Sequence, residues 1–327
     1  MTDFCGFRPN NRFFLAPMAG ITDAAFRTVC AEFGAAVTYT EMVSAAGLAH
    51  GSSPTRHLME TLPGEGKLAC QIFGSRVSDV AYAAKIATET GRFRELNLNA
   101  GCPMPKVTRE GAGAKLIENP RLIAQLLKAM TDNTDLPVTL KTRLGPHPGR
   151  TNVFEIAEEA ARAGAAGIIV HARYTSQMHG GPVHLEKLSE LVRRSPLPVT
   201  GNGSVTNAAE LSAMSQCAVD AVMIGRAALA KPSLFSELKG APPGKASAAE
   251  MCERHLGHIL SFREQLARRY PLDHVPSADG FSSVKMHTHL FRYFNGRPGA
   301  AALRARLSTV RTLAEIREII ENEKSVD

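Results

Sequence analysis

A cysteine in a loop flanked by glycine and proline is the residue of this chain that is best suited to chemistry. Cys102 lies in Asn99-Ala-Gly-Cys-Pro103, directly after the run Glu95–Asn99. A loop thiol can be presented to a substrate as an acid or a nucleophile, although a partly buried and inert cysteine is the alternative. No second cysteine or histidine stands nearby at ligand spacing, so we expect no metal at this position.

Two further titratable residues end short apolar runs. Lys141 ends Val138–Lys141, and its ammonium group requires a partner because an unpaired buried charge is costly. The candidates are a carboxylate such as Glu41 and an electron-rich cofactor ring. His171 follows Ile-Ile-Val and faces the same space. It is either a hydrogen-bonded core residue or a member of the site.

Glycine-containing turns follow the last two apolar runs. Asn202-Gly-Ser204 follows one of them, and Gly225-Arg226 follows the other. In a (β/α)8 barrel a phosphate commonly binds after strands seven and eight, where backbone N–H groups hold it. Arg226 could add a bidentate contact to phosphate oxygens. The alternative is that both glycines only form tight turns.

The elements that position these residues alternate between strands and helices. Eight short apolar or β-branched runs are each followed by a segment with helical periodicity. This number and the length of about 225 residues predict an α/β fold with a (β/α)8 TIM barrel, whose active site lies at the C-terminal strand ends. A doubly wound sheet is the alternative, but Gly111-Ala-Gly113 lacks the third glycine of a dinucleotide fingerprint and is interpreted as a helix-entry turn. The predicted strands are Phe13–Ala16, Ala36–Thr40, Leu68–Ile72, Glu95–Asn99, Val138–Lys141, Gly167–His171, Pro198–Gly201 and Ala221–Ile224.

The composition is that of an ordinary globular protein. Of its 327 residues 44% are hydrophobic and 21% are charged, which excludes a disordered tail protein, a collagen-like fibre and a small disulfide scaffold. No apolar run approaches the ~18–20 residues that a membrane span requires, so we expect no membrane partner. The N-terminus lacks the layout of a signal peptide, and the six cysteines have no paired spacing, so we expect a cytoplasmic protein with reduced thiols.

A segment rich in proline and glycine, Lys239-Gly-Ala-Pro-Pro-Gly-Lys245, divides the chain. It predicts a barrel domain over residues 1–240 and a small all-helical domain over residues 241–327. The net charge is +7, and residues 251–311 alone carry a surplus of +6. This local surplus indicates either a solvated helical surface or a nucleic-acid partner.

Two capping boxes predict where helices of the second domain begin. Ser247 with Glu250 and Thr312 with Glu315 both have the required spacing. The first helix is expected to run to about Arg269.

Several motifs occur together in an order and spacing known from one family. They are Leu15-Ala-Pro-Met-Ala-Gly-Ile-Thr-Asp23, Glu95-Leu-Asn-Leu-Asn-Ala-Gly-Cys-Pro103, Lys141-Thr-Arg-Leu-Gly145, His171-Ala-Arg173, Gly201-Asn-Gly203 and Val222-Met-Ile-Gly-Arg226. The chain resembles the flavin-dependent tRNA-dihydrouridine synthases over about residues 12–311. In the tail, Lys285-Met-His-Thr-His289 with Tyr293 and Gly296 resembles the helical motif of the B-type bacterial branch. The chain departs from the pattern at Met104, at Ser204 and in the loop of residues 172–184.

The resemblance implies that the barrel binds FMN and that NADPH or NADH reduces it. Each implied cofactor-binding residue lies at a predicted strand end. Pro17, Met18 and Ala19 would line one side of the flavin. Gln71 would contact the edge of the ring, Lys141 its N1/O2 region and His171 its flank. The residues that would hold the phosphate are Asn202, Gly203, Ser204, Gly225 and Arg226.

The implied reaction is the reduction of a uridine in tRNA. Hydride would pass from the flavin to uracil C6, and Cys102 would protonate C5. Asn99 would orient the uracil, which must be flipped out of the RNA stack, and Arg143 would be a further substrate-binding residue. The helical domain would bind the RNA with Lys285, His287 and Arg292, and its other phosphate-binding candidates are Arg297, Arg304 and Arg306.

Other functions remain open from the sequence. A flavin barrel that acts on a free pyrimidine, like a dihydroorotate dehydrogenase, would leave the basic tail without a use. A non-tRNA RNA substrate and an RNA chaperone without catalysis are further alternatives. The resemblance implies a monomer bound to one RNA.

Overall fold

The computed structural model describes residues 11–242, 246–295 and 300–324 of the chain. This part contains nine strands, all paired in parallel. They are β1 Phe13–Leu15, β2 Val37–Tyr39, β3 Val43–Ser44, β4 Lys67–Phe73, β5 Glu95–Ala100, β6 Val138–Arg143, β7 Gly167–His171, β8 Val199–Asn202 and β9 Ala221–Ile224. Eight of them close into a barrel, because β2 pairs with β4 and β1 pairs with both β2 and β9, while the two-residue β3 lies beside β4.

Helices connect the strands on the outside of the barrel. Between β1 and the end of the barrel these are α1 Ala24–Glu32, α2 Ala45–Ala49, α3 Ser53–His57, α4 Val77–Glu89, α5 Pro105–Thr108, α6 Pro120–Thr131, α7 Val153–Arg162, α8 Leu185–Arg194, α9 Ala208–Gln216, α10 Arg226–Ala230 and α11 Leu234–Leu238. Short 3-10 helices lie at Gly113–Glu118 and Thr175–Gln177.

The predicted (β/α)8 barrel is confirmed. Parallel strands that are covered on both faces appear in a sequence as near-continuous apolar runs. Strand β7 is an example, since it is buried over its whole length. Each of the eight predicted strands is present, with bounds that differ by at most two residues. The strand β3 was not predicted, because two residues give no periodic pattern.

The interior of the barrel has an apolar and a polar half. Phe14, Val37, Ile169 and Met223 form a buried apolar cluster on one side. On the other side, β4, β5 and β6 carry buried polar side chains that hydrogen-bond to one another, among them Gln71, Glu95, Asn97, Asn99 and Thr139. Buried polar groups require such partners, so this half is an ordered network.

The C-terminal helices form a second hydrophobic cluster. They are α12 Ala248–Arg269, α13 Ala278–Tyr293, α14 Ala300–Thr309 and α15 Leu313–Lys324. The predicted capping boxes are confirmed, since Glu250 N donates to Ser247 Oγ at 3.1 Å and Glu315 N to Thr312 Oγ1 at 3.3 Å. Their apolar cluster also includes Ala24 and Ala25 of α1, so this helix belongs to both units. The predicted division at residue 240 falls between α11 and α12 and stays a prediction.

Carboxylates of the barrel, one buried and one exposed, tie the C-terminal helices to the barrel. Glu60 has no exposed side-chain surface, and its Oε1 accepts from Tyr270 Oη at 2.6 Å. The same oxygen lies 3.0 Å from Arg92 Nη1 and 3.2 Å from Arg269 Nε. Glu32 of α1 pairs with His258 at 2.8 Å. None of the described helices combines the length and hydropathy needed to cross a membrane.

Candidate active site

The loop after β5 holds Cys102 at the C-terminal end of the barrel. Asn99 Oδ1 accepts from the N–H groups of Gly101 at 3.1 Å and Cys102 at 3.0 Å. On the other side, Ala114 N donates to Cys102 O at 2.8 Å. Gly113 has a positive φ of 59°, and a Cβ there would lie 2.6 Å from Cys102 O. The glycine cluster interpreted as a helix-entry turn therefore also packs against the cysteine loop.

Cys102 is the described cysteine that is open to a ligand. Its side chain is partly exposed, whereas the four other described cysteines are buried. Burial raises the pKa of Cys70 to about 12 and that of Cys30 well above its ordinary value. Cys5 lies outside the described residues. The C-terminal end of the barrel, with the loops that follow its strands, is called the mouth below. A partly exposed thiol at the mouth is the arrangement that proton donation to a bound substrate requires.

Lys141 lies beside Asn202, not beside Glu41. Its Nζ donates to Asn202 Oδ1 at 3.2 Å, and Asn202 Nδ2 donates to Met223 O at 2.8 Å. Burial and, to a smaller extent, the charge of Arg143 lower the pKa of Lys141, and a Cys102 thiolate acts against both, so that the pKa is about 7. Glu41, one of the two partners that the sequence left open, instead accepts from Gly20 N and lies close to the charge of Lys285.

Arg143 lies between two loops of the mouth. Its Nε donates to Gly101 O at 2.8 Å, and its Nη1 donates to Met178 O at 2.6 Å and Tyr174 O at 3.2 Å. The side chain is buried at 1% exposure, and burial lowers its pKa to about 10. Arg143 thus fixes the Cys102 loop to the loop of residues 172–184. Its predicted role in substrate binding stays a prediction.

The far side of the mouth collects further positive groups around the predicted phosphate residues. Arg173 Nη2 donates to Ser204 Oγ at 2.7 Å, and Arg226 Nη2 donates to His179 O at 3.1 Å. Gly203 has φ of 137°, and a Cβ there would lie 3.3 Å from His171 Cδ2. The glycine therefore leaves the backbone accessible beside the histidine, as a ligand phosphate would require.

His171 is held neutral by its surroundings. It is 9% exposed, and its Nε2 lies 3.1 Å from Arg173 Nη1. Burial lowers its pKa, and Lys141, Arg143 and Arg173 lower it further. His171 is thus buried and hydrogen-bonded at the edge of the mouth, and its role toward the cofactor stays a prediction.

The charged side chains that the structure describes at the mouth are mostly positive. Among the described residues, the charged groups that act most strongly on Lys141, Arg143, His171 and Arg173 are other cations and Cys102, with no carboxylate among them. Several buried cations without a counter-charge are costly unless an anion binds among them. The geometry thus indicates an anionic ligand. No three His, Cys, Asp or Glu side chains come together as a metal site in the described part of the chain.

The loops after β1 and β4 complete the mouth. Pro17 and Met18 are half-buried and Ala19 is exposed. A Cβ on Gly225 would lie 3.8 Å from Met18 Sδ, so the loop after β1 is adjacent to the end of β9. Gln71 is fully buried and accepts at Oε1 from Asn99 Nδ2 at 2.8 Å.

Comparison with known proteins gives the family. The model of the family described as dihydrouridine synthase (Dus) matches residues 14–326. This chain belongs to the dihydrouridine synthase family. It is 31% identical to a probable tRNA-dihydrouridine synthase of Mycobacterium leprae, over 92% of this chain and 85% of that protein. It is 36% identical to tRNA-dihydrouridine synthase B of Klebsiella pneumoniae and 35% identical to that of Escherichia coli K12, in both cases over 71% of this chain and 73% of the relative. The predicted family and its B-type relationship are confirmed.

Solved structures agree with the dihydrouridine synthase barrel. A structure of morphinone reductase superimposes with a TM-score of 0.53 at 15% identity, over 72% of this chain and 87% of that chain. At this identity the likeness shows the fold alone.

The RNA-binding candidates of this dihydrouridine synthase have different surroundings. His287 and Arg292 are exposed on α13. Lys285 is instead 25% exposed and pairs with Asp23 of the barrel at 3.2 Å. Arg306 pairs with Glu318 at 2.7 Å. Arg297 and the side chain of Arg304 lie outside the described residues.

Three residues of the site were not assigned from the sequence. Arg173 is part of the family motif that begins at His171, and that motif was a usable signal. His179 stacks toward His171, with ring centroids 6.3 Å apart, but it lies in a loop that departs from the family pattern. Glu95 lies at the start of β5, at the other end of the strand from the Cys102 loop, and although it begins the motif of residues 95–103 no role was assigned to it from the sequence.

Proposed function

We propose that this protein is an FMN-dependent tRNA-dihydrouridine synthase that uses NADPH or NADH as reductant. The observation that carries the proposal is the partly exposed Cys102 thiol beside Lys141 and Arg143, in a mouth rich in unbalanced positive charge. Membership of the dihydrouridine synthase family supports the reaction. One solved structure of morphinone reductase is a complex with tetrahydroNAD, which supports a nicotinamide reductant by analogy only.

The residues of the mouth fit FMN. Arg173 and Arg226 would hold its phosphate together with the backbone at Gly203 and Ser204, because this is where the chain offers positive groups and close backbone approach. Lys141 would lie next to the part of the ring that becomes negative on reduction. The buried amide of Gln71 would contact the ring edge.

Cys102 would act as the proton donor. When bound and reduced, FMN supplies a hydride for uracil C6. The thiol S–H bond of Cys102 breaks, and its proton goes to C5, so that the C5=C6 double bond becomes a single bond. The thiolate left behind lies near Lys141 and Arg143, whose positive charges stabilise it. Asn99 fixes the backbone of this loop and would also orient the uracil.

The exposed face of α13 supports tRNA as the partner. His287 and Arg292 are solvent-accessible there, in the segment that carries the charge surplus. Such side chains bind phosphates without reading sequence. We propose that one chain acts on one tRNA in the cytoplasm.

Replacement of the proton donor tests the proposal. We expect Cys102→Ala to lower dihydrouridine formation at least ~100-fold, the usual contribution of a positioned general acid, while flavin reduction by NADPH stays within about twofold. Nucleoside mass spectrometry of unmodified tRNA and stopped-flow flavin absorbance measure the two steps. Cys217→Ala is the matched control, because it removes a buried thiol that follows α9. Wild-type protein that takes up no FMN and forms no dihydrouridine would refute the proposal.

A further inference from the structure

A continuous hydrogen-bond chain runs up the polar half of the barrel and ends at the cysteine loop. Its lowest member is Glu95, which is fully buried at the start of β5. Thr139 Oγ1 donates to Glu95 Oε1, and Tyr39 Oη donates to the same oxygen at 2.9 Å. Because the threonine hydrogen points down to the carboxyl group, Thr139 Oγ1 accepts from Asn97 Nδ2 at 2.7 Å.

This series of hydrogen bonds, called the relay below, continues upward with its donors pointing in the same direction. Gln71 Nε2 donates to Asn97 Oδ1 at 2.7 Å, and Asn99 Nδ2 donates to Gln71 Oε1 at 2.8 Å. Asn99 Oδ1 is then free to accept the N–H groups of Gly101 and Cys102. Every donor in this relay, from the Cys102 N–H group to the Thr139 hydroxyl group, points toward Glu95.

The polarity matters because an amide side chain can be placed in two ways. Each Asn or Gln amide presents a donor nitrogen at one end and an acceptor oxygen at the other, so its neighbours decide which end faces which. If the relay were reversed, the Asn99 NH2 group would face the N–H groups of Gly101 and Cys102, and both would lose their acceptor. Buried donors without acceptors are costly, and the loop would have to move.

Glu95 is the member of the relay that favours one direction. Its carboxyl group offers acceptor oxygens, whereas the threonine and the amides can each both donate and accept. Its Oε2 has no hydrogen-bond partner within the described part of the chain, so Oε1 alone receives the relay. Burial raises the pKa of Glu95 to about 7, against the hydrogen bonds from Thr139 and Tyr39. Whether ionised or protonated at Oε2, the group still accepts at Oε1.

We propose that Glu95 is a positioning residue for Cys102, which it orients through Thr139, Asn97, Gln71 and Asn99. This rests on the proposed function, since orientation of the thiol toward uracil is what the relay would serve. Glu95 itself touches neither the substrate nor the cofactor in this role. The adjacent amides polarise one another along the chain, so the effect can extend over several hydrogen bonds.

Glu95→Leu removes the terminal acceptor. We expect kcat for uridine reduction to fall ~10–100-fold, because displacement of a reacting group by about 1 Å has an effect of this size. The KM for tRNA should stay within about threefold, because the helical domain that would bind the RNA lies outside the relay. The rate of flavin reduction by NADPH should fall much less than kcat, because Cys102 takes no part in that step and Gln71 is the one relay member proposed to contact the flavin. Glu95→Gln keeps an acceptor oxygen and should recover most of the lost rate. Tyr39→Phe is the matched control, because it removes a donor to Glu95 that lies outside the relay.

Thr139→Val breaks the relay one step higher and replaces Glu95→Leu as the test variant if Glu95→Leu does not fold. It should give the same fall in kcat, and the double variant should lose little more, because both changes interrupt one network. Unchanged kcat in a folded, flavin-loaded Glu95→Leu variant would overturn the proposal. So would a parallel loss of flavin reduction, which would indicate a general structural role.

Alkylation of the thiol tests the relay without enzyme activity. The rate at which iodoacetamide modifies Cys102, followed by peptide mass spectrometry, should change at least ~3-fold in Glu95→Leu and Thr139→Val and stay near wild type in Tyr39→Phe. If the wild-type chain forms no dihydrouridine, the proposed function fails, and this measurement still decides the relay. Equal alkylation rates in all variants would overturn it.

Discussion

The mouth of the barrel and the contact between the barrel and the C-terminal helices both bury charged side chains. The contact pairs positive with negative groups, whereas the mouth collects positive ones. At the contact, cations lie against carboxylates: Lys285 lies against Asp23, and Arg269 lies against Glu60, which also pairs with Arg92. At the mouth, Lys141, Arg143 and Arg173 lie near one another, and within the described residues no carboxylate is among the groups that perturb them most.

The difference separates a ligand site from a structural contact. A buried charge whose counter-charge belongs to the same chain needs nothing further and contributes mainly by fixing geometry. Buried charges of one sign are satisfied only when something of the opposite sign arrives. The charge balance of the mouth therefore suits an anionic ligand, whereas the contact is balanced within the chain.

The first test applies the same substitution at the two places. Lys141→Met at the mouth should lower uridine reduction ~10²–10³-fold, because it removes a cation positioned where charge develops. The ligand-free variant should at the same time melt at a higher temperature than wild type, because a costly buried charge is gone. Single-turnover kinetics and thermal melting measure the two effects. An unchanged rate would show that the mouth does not need this charge.

Lys285→Met is the counterpart at the contact, and we expect it to destabilise the protein by about 2–3 kcal/mol. Burial raises the pKa of Asp23, but Lys285, together with smaller contributions, outweighs it and holds the pKa below its ordinary value. Without Lys285 the buried carboxylate loses its main partner. Urea unfolding measures the loss, and Asp23→Asn in the same chain should restore part of it, since Asn still caps α1. A fully stable Lys285→Met variant would contradict a structural role.

The pH dependence of stability provides a smaller effect at the mouth. Lys141 has a pKa of about 7 in the folded ligand-free protein against 10.5 ordinarily, so between these values the unfolded chain binds more protons. Stability from this group therefore rises with pH across that window. We expect Lys141→Met to melt several degrees above wild type at pH 7, with the gap closing toward pH 10. A gap that does not vary with pH would argue against the buried cation.

The smallest expected effect concerns the exposed face of α13. Arg292→Ala should weaken binding of tRNA about 3–10-fold and reduce the salt slope of log K by about 1, as loss of one phosphate contact does. Its melting temperature should equal that of wild type, in contrast to Lys285→Met. Fluorescence anisotropy at several salt concentrations measures the affinity for tRNA and its salt slope. An unchanged slope would remove Arg292 from the RNA-binding face.

The local pattern of the sequence predicted the elements well. Strand β7 was predicted residue for residue, because a strand covered on both faces tends to form a continuous apolar run, here Ile168 to Val170. Partnerships between elements were not predictable in the same way. Lys141 could have paired with Glu41, but Glu41 accepts from Gly20 instead, and Lys141 donates to Asn202. The choice depends on which strand end lies opposite, and spacing along the chain does not contain that information.

The sequence by itself determined the barrel, the capping boxes, the family motifs and the loop that carries Cys102. These follow from periodicity, from local hydrogen bonding and from residue types within a few positions of one another. Only the tertiary structure decided which lysine lies in the mouth and which in a structural contact, and that Glu95 connects to Cys102 through the inside of the barrel. The physical reason is that burial and counter-charge are properties of residues brought together from distant parts of the chain.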